Sequence, residues 1–340
     1  MHIELAAGML NNLYQHSPFS LLATAAIALV LCLAILVTLL RTGWAWDIAV
    51  DIPNQRSLHV RPVPRVGGWG VVPASLLLIA LCAPSLRWIA FGAAILAVVS
   101  QIDDRRDLSA RVRFAAHVIV VGVAVSTSVV DVAWWFAAVL VVALVWLVNL
   151  YNFMDGSNGL AGGMTVFGFA SYAIAAAPSQ PELAAAAAAV AGAGLGFLVL
   201  NFNPARIFLG DMGSIPLGFL AGALGFWGWQ HEAWPIWFPA LVFAPFIADA
   251  TVTLLRRLAR GEKFWQAHRE HYYQRLVQLC GTHVRVALIY YCLMLAGSAI
   301  ALFALHLSTL TQWLAVVCWY AALGLVGWRI DCLWRSASRS

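Results

Sequence analysis

The sequence predicts an all-α, polytopic membrane protein with about eleven transmembrane helices, and three observations predict it. Of the 340 residues, 62% are hydrophobic and only 10% charged, against roughly 45–50% and 25% in a soluble domain. The apolar stretches run unbroken for about 20 residues, enough to cross a bilayer as a helix, where a barrel strand would alternate over about ten. Mean hydropathy is +0.83, and the chain carries 16 Trp and 17 Phe. A soluble domain and a membrane β-barrel are both excluded.

The first 18 residues carry Glu4 and no Lys or Arg, unlike a cleaved signal, so the run from Phe19 to Leu40 reads as a retained first helix. Spans are expected at 19–41, 67–83, 86–101, 114–130, 132–150, 159–177, 183–201, 213–230, 234–255, 284–306 and 308–328, in one polytopic domain over 1–340. That count puts the loops 42–66, 102–113, 151–158, 202–212 and 256–283, and the tail from Arg329, on one side. Of the 20 Lys and Arg, 19 lie on that side and only Arg87 on the other. Cytoplasmic loops hold the basic residues, so the N-terminus is expected outside, in the periplasm, and the C-terminus in the cytoplasm. The opposite connectors, such as Ala83-Pro84-Ser85 and Pro178 to Glu182, are short.

The net charge of +5 and pI near 9.0 come mostly from this arginine border. Contact with membrane lipids explains it better than nucleic acid, because no basic segment is long, soluble and interleaved with aromatics. The six Cys include no CxxC pair, so neither a disulfide framework nor a zinc site is expected. The alanine run 184–189 and the spacings Gly192/Gly196 and Gly218/Gly222 allow helices to approach closely. Such faces serve packing within one chain and a homodimer alike.

Polar residues gather at the helix ends of the basic side. The third span ends in QIDDRRD, with Asp103, Asp104 and Asp107 beside Arg105 and Arg106. This is either a solvated helix end or a pair of carboxylates brought together by a divalent cation. The fifth span runs into NLYNFMDGSNGL. Asn149 and Asn152 share a helix face, and Gly156 and Gly159 allow a tight turn that brings Asp155 close to a ligand. The seventh leaves through NFNPARIFLGDMGS, where Asp211 precedes the next apolar helix. It either caps that helix or ligates a metal beside glycines that admit phosphate.

Asp249 lies inside the ninth span with Arg256 seven residues later on the same face, which suits either a functional intramembrane acid or an Asp249–Arg256 pair. The following loop holds Arg256, Arg257, Arg260, Lys263, His268, Arg269, His271, Arg275 and His283, a density of cations suited to phosphate. His268 and His271 lack the spacing and third ligand of a zinc site. The loop from Asp51 to Gly68, with Arg56, His59, Arg61 and Arg65 among prolines and glycines, is expected to be ordered but not helical. It reads as a lipid-headgroup anchor or as a further wall of an anionic site. His2, His16, His117, His231 and His306 have no polar company in the sequence and read as structural or interfacial.

The blocks QIDDRRD, NLYNFMDGSNGLAGG, NFNPARIFLGDMGS and AHREHYYQRL, in this order and on one face, resemble the polyprenyl-phosphate N-acetylhexosamine-1-phosphate transferases of glycosyltransferase family 4. The resemblance runs from about Asp51 to His283. The loop at 51–68 and the AHREHYYQRL block resemble most the bacterial branch that starts O-antigen and related polysaccharides. They are less similar to the peptidoglycan phospho-MurNAc-pentapeptide transferase, whose block carries more consecutive histidines.

The resemblance implies an enzyme of the bacterial inner membrane with its site facing the cytoplasm. It implies transfer of a sugar 1-phosphate from a UDP-N-acetylhexosamine to undecaprenyl phosphate, with Mg²⁺, or Mn²⁺ in its place, required. By motif position it makes Asp211 and Asp104 metal ligands and Asp103, Asp104 and Asp211 catalytic. Asn149, Asn152, Asp155, Gly156, Asn158, Asn201 and Phe208 then face the nucleotide or diphosphate, with Phe208 stacking on the base. His268, His271, Arg275 and Arg65 are expected to bind the anionic substrates. One departure is Asn158, where the family's DGxDGL carries a second acid; Asn keeps hydrogen bonding and loses the charge.

Two other classes compete. Asp103 to Asp107 also reads as the DDxxD of a prenyltransferase, which would need a second aspartate-rich helix that the sequence lacks. A transporter of lipid-linked sugars would explain Asp249 but predicts polar residues through to the far side.

Overall fold

The computed structural model describes residues 18–53, 61–106, 108–128, 133–262 and 268–337. Asp107, Lys263, Arg56, His59, His2 and His16, named above, lie outside them. The described chain is all-α apart from one two-residue antiparallel pair, β1 (Val50–Asp51) with β2 (Val63–Pro64). The helices are α1 (Pro18–Thr42), α2 (Trp44–Ile48), α3 (Gly67–Cys82), α4 (Arg87–Arg106), α5 (Ala110–Ser128), α6 (Trp134–Phe153) and α7 (Leu160–Ala176). They continue as α8 (Pro181–Asn201), α9 (Asp211–Gln230), α10 (Trp237–Val242), α11 (Ala244–Ala259), α12 (Tyr272–Cys280), α13 (His283–Ala304) and α14 (Thr309–Ala337).

Among the described residues, seven helices are long and apolar enough to cross a membrane by length and composition. Their outer faces are bare hydrocarbon: Leu22 is 69%, Val142 70% and Leu325 67% exposed. Water would penalise that surface and lipid does not. The protein is a multi-pass, helical membrane protein.

Small residues set the packing where the sequence predicts it. A side chain on Gly192 or Gly196 of α8 would strike the backbone of α1 at Ala25 or Leu29. One on Gly218 of α9 would meet α6 2.8 Å from the Val148 Cα. The short connectors also meet: Ser85 donates to Glu182 through its N–H (2.8 Å) and hydroxyl (2.6 Å), and Gln180 Nε2 donates to the His231 carbonyl at 2.8 Å. The ends of α4, α6 and α8 and the starts of α3, α7 and α9 consequently gather at the other end of the bundle.

Three expectations are corrected. The ninth span is not one helix but α10 and α11, broken at Phe243. Pro245 lacks the N–H that would continue the ladder, and the fully buried Phe243 ring packs edge-on against Phe169 and Tyr172. The loop 256–283 carries the end of α11 and all of α12, and the loop 42–66 contains the helical turn α2.

Candidate active site

The segment carrying Arg65 is stitched to the segment before α9. Phe208 donates its N–H to the Pro64 carbonyl (2.8 Å), while Gly67 and Gly68 donate to Phe208 and Leu209 (2.8 and 2.9 Å). A Cβ on Gly68 would lie 2.5 Å from the Gly213 nitrogen, so the starts of α3 and α9 touch backbone to backbone. Gly210 turns the chain with φ +74°, a conformation open to glycine. It, not Asp211, occupies the cap position of α9. The Asp211 carboxylate is thereby released to Arg65.

Arg65 Nη2 donates to Asp211 Oδ1 at 3.1 Å and lies 3.9 Å from Asp104 Oδ1 at the end of α4. The two carboxylate side chains are 18% and 16% exposed. Asp155, from the α6–α7 turn, accepts the Gly210 N–H and interacts electrostatically with Arg65, Asp211 and Asp51. Burial, with Asp211 adding to it against the pull of Arg65, holds the Asp155 carboxyl well above the usual carboxylate range. Burial works against the Arg65 charge, but Asp211, Asp104, Asp51 and Asp155 around it keep it protonated.

The two acids at the end of α4 have different surroundings. Asp103 is buried, its Oδ1 accepting from the Leu108 N–H (2.8 Å) and its Oδ2 from Arg113 (2.9 Å). Of this pair, Asp104 lies beside Arg65. Asn201 is likewise occupied: its Oδ1 accepts from the Gly159 N–H (2.8 Å) and its Nδ2 donates to the Ile207 carbonyl (2.9 Å). It ties the α6–α7 turn to the segment before α9. Asn149 donates back to the Val145 carbonyl (2.7 Å), Asn158 bonds Asn203 (3.0 Å), and the Asn152 carbonyl accepts from the Asp155 N–H (3.1 Å). Phe208 is partly buried beside β2, its N–H on the Pro64 carbonyl.

A second group adjoins the first. The buried His271 ring stacks on Phe153 and Tyr273 and faces His268, with ring centres 6.2, 5.8 and 4.9 Å apart. Burial, then the neighbouring His271 and Arg257, lowers His268 to about 4. The Tyr273 hydroxyl donates to the Phe153 carbonyl (3.1 Å) and sits where a Gly156 side chain would be. The α6–α7 turn therefore lies between Asp211 and α12.

The cations of 256–283 are not a bare phosphate cradle. Arg256 and Arg275 pair with Asp331 of α14 at 2.6 and 2.8 Å. Arg257 pairs with Glu262 and Glu270 at 2.8 and 2.5 Å, and Arg260 bonds the same two acids. The Asp249–Arg256 pair, one of the two readings of this acid, does not form; Arg256 pairs with Asp331, and Asp249 accepts from the Tyr272 and Tyr273 N–H groups. The structure thus brings Arg65, Asp104, Asp155 and Asp211 together, sets His271 against Phe153 with His268 facing it, and ties Arg275 to α14.

Residues 86–228 match the family model described as glycosyl transferase family 4. Over 288 residues the chain is 29% identical to the "probable undecaprenyl-phosphate N-acetylglucosaminyl 1-phosphate transferase" of Bacillus subtilis, covering 79% of this chain and 80% of that one. Through residues 86–228 this chain is similar to glycosyl transferase family 4. It is 28% identical over 320 residues to the "undecaprenyl-phosphate alpha-N-acetylglucosaminyl 1-phosphate transferase" of Yersinia pestis, covering 85% of this chain and 86% of the relative. A "phospho-N-acetylmuramoyl-pentapeptide-transferase" of Moorella thermoacetica is 40% identical, but over 95 residues, 28% of this chain and 30% of that one.

The family segment contains Asp104, Asp155 and Asp211, whereas Arg65 and α12 lie outside it. Four residues around the site escaped the sequence reading. Asp51 joins through the β1–β2 pair, Tyr273 hides inside an aromatic run, and Asp331 is 75 residues from Arg256 with no local motif. His117, read as lacking polar company, is buried with an Nδ1 that has no hydrogen-bond partner among the described residues, and it interacts electrostatically with Arg113, Asp211 and Asp103. Its spacing of four from Arg113 is the one signal that placed it on that face.

Proposed function

We propose that the protein transfers N-acetylhexosamine 1-phosphate from a UDP-sugar to undecaprenyl phosphate, releasing UMP, as the first lipid-linked step of O-antigen or a related surface polysaccharide. The observation that carries this is the cluster of Arg65, Asp104, Asp155 and Asp211 at one end of a membrane bundle. Two anionic substrates have to meet there. An oxygen of the lipid phosphate bonds to the β-phosphorus, the bond from that phosphorus to the bridging oxygen breaks, and the electron pair leaves on UMP.

Arg65 offsets the negative charge that accumulates, and Asp155, carried by a turn with Gly156 at its bend, faces the nucleotide side with Asn152 and Phe208. The lipid phosphate is already ionised near neutral pH, so no base is demanded. Among the described residues, no three His, Cys, Asp or Glu form a preformed metal cage. Mg²⁺ needs none: it is held by one or two carboxylates plus substrate phosphates, and the two carboxylates that share Arg65 fit that donor set. Asp104 and Asp211 would hold it, and it would supply charge neutralisation at the diphosphate.

The extent of similarity supports the N-acetylglucosamine branch over the peptidoglycan one, since the first covers 79–85% of the chain and the Moorella relative 28%. The transporter reading loses its motive, because Asp249 is bound by backbone N–H groups. The test is to incubate purified protein with undecaprenyl phosphate, Mg²⁺ and UDP-N-acetylglucosamine and weigh the extracted lipid. A gain of one N-acetylhexosamine 1-phosphate supports the reading; an unmodified lipid with every UDP-N-acetylhexosamine rejects it.

A further inference from the structure

Asp249 is 3% exposed inside the bundle, where an unpaired carboxylate is expensive. Four hydrogen-bond donors reach it. Oδ1 accepts from the Tyr272 N–H at 2.8 Å, with the Thr253 hydroxyl at 3.4 Å and His271 Nδ1 also 3.4 Å away. Oδ2 accepts from the Tyr273 N–H at 3.0 Å and the Tyr290 hydroxyl at 2.5 Å. With both oxygens committed, the carboxylate has no free face to offer a substrate. Its neighbours come from α11, α12 and α13, so it joins three elements.

What it holds is the start of α12. That helix has nine residues, too few to persist alone, and its first N–H groups have no partners within the helix. A carboxylate there satisfies two of them and complements the helix dipole. The next link runs outward from the same residue. Tyr273, whose N–H is held by Asp249, sends its hydroxyl to the Phe153 carbonyl at 3.1 Å. Phe153 is two residues before Asp155, and Gly156 leaves the space the Tyr273 hydroxyl fills.

We propose that Asp249 is a positioning residue for the nucleotide side of the site: through Tyr273 it fixes the 153–156 turn, and with it Asp155. The proposal rests on the reading that Asp155 and its turn face the nucleotide. It assigns Asp249 neither proton transfer nor substrate contact. It predicts a selective defect, because Asp104 and Arg65 approach the cluster from α4 and the β2 segment and do not depend on α12.

The test uses full-length protein and UDP as the probe, with affinity read from the shift in melting midpoint, alongside KM values for the UDP-sugar and for undecaprenyl phosphate. Tyr273→Phe keeps the ring and the Asp249 bonds and removes the hydroxyl's bonds to the Phe153 carbonyl and the Gln274 side chain. It is expected to weaken UDP binding and raise the UDP-sugar KM about five- to tenfold, with the lipid KM within about twofold of wild type. Asp249→Asn, which loses the charge, is expected to show the same split with a lower melting midpoint.

A purely structural role predicts fewer active molecules with both KM values unchanged, and that result overturns the proposal. Wild-type UDP affinity in Tyr273→Phe overturns it too, whether or not Asp249→Asn folds. Wild-type protein that binds UDP but transfers no sugar defeats the proposed reaction while leaving the binding comparison to support the clamp. Wild-type protein that does not bind UDP overturns the clamp.

Discussion

Arg65 and Asp211, 146 residues apart in the chain, form an ion pair at 3.1 Å around which the acidic cluster is arranged. Asp104 and Asp155 approach the same guanidinium. Acids outnumber the one arginine at this point, which suits a site completed by a divalent cation.

Asp211→Asn keeps the size of the side chain and removes the charge. Its carboxylate is partly exposed and pairs with Arg65, as that of Asp104 does. Turnover is expected to fall by about 10² or more, with a melting midpoint close to wild type. Normal rates from folded Asp211→Asn would contradict a metal-ligand role.

Adjacent acids separate by function. Asp103→Asn breaks charged bonds to Leu108 and Arg113 in a buried setting and is expected to cost about 1–3 kcal/mol of stability. Asp104→Asn is expected to leave stability nearly unchanged and to lower turnover. Denaturation and rate measurements on the two variants check this, and the reverse pattern would exchange their roles.

Asn201→Ala removes both ends of the clasp between Gly159 and Ile207. Two buried backbone groups lose their partners, and a loss of about 2–4 kcal/mol is expected. Asn158→Ala breaks one exposed bond to Asn203 and is expected to cost under about 0.5 kcal/mol. Thermal melts of both variants decide the comparison.

His268 titrates near 4 in the folded protein against an ordinary 6.5. The unfolded chain therefore binds the proton more readily, and acid favours unfolding. The stability this neutral imidazole contributes is complete above about pH 6.5 and is lost as pH falls toward 4. Wild-type protein is expected to lose melting midpoint more steeply over that window than His268→Gln. Parallel slopes would contradict the lowered titration of His268 in its partly buried setting.

Of the eleven expected spans, hydropathy located the seven that are long and apolar enough to cross a membrane among the described residues, because lipid demands unbroken apolar runs. It failed at Phe243, where the run stays apolar through a break that only Pro245 and the packing of Phe243 on Tyr172 explain. The acids were legible for a related reason: a charged residue at a helix end stands out against 62% hydrophobic composition. Their division of labour was not, since nothing beside Asp103 announces that Arg113 will take its carboxylate. The cations of 256–283 misled because their acids are scattered. Glu270 lies among them, but Asp331 sits in the last helix and reaches Arg256 and Arg275 only after folding.

The proposed transfer is tested most directly by nucleotide release from purified protein given undecaprenyl phosphate, Mg²⁺ and a panel of UDP-N-acetylhexosamines. Controls omit the lipid or the metal. The account predicts UMP, released from one donor and only with both lipid and metal present. Release of UDP, or UMP formation that ignores the lipid, would contradict it.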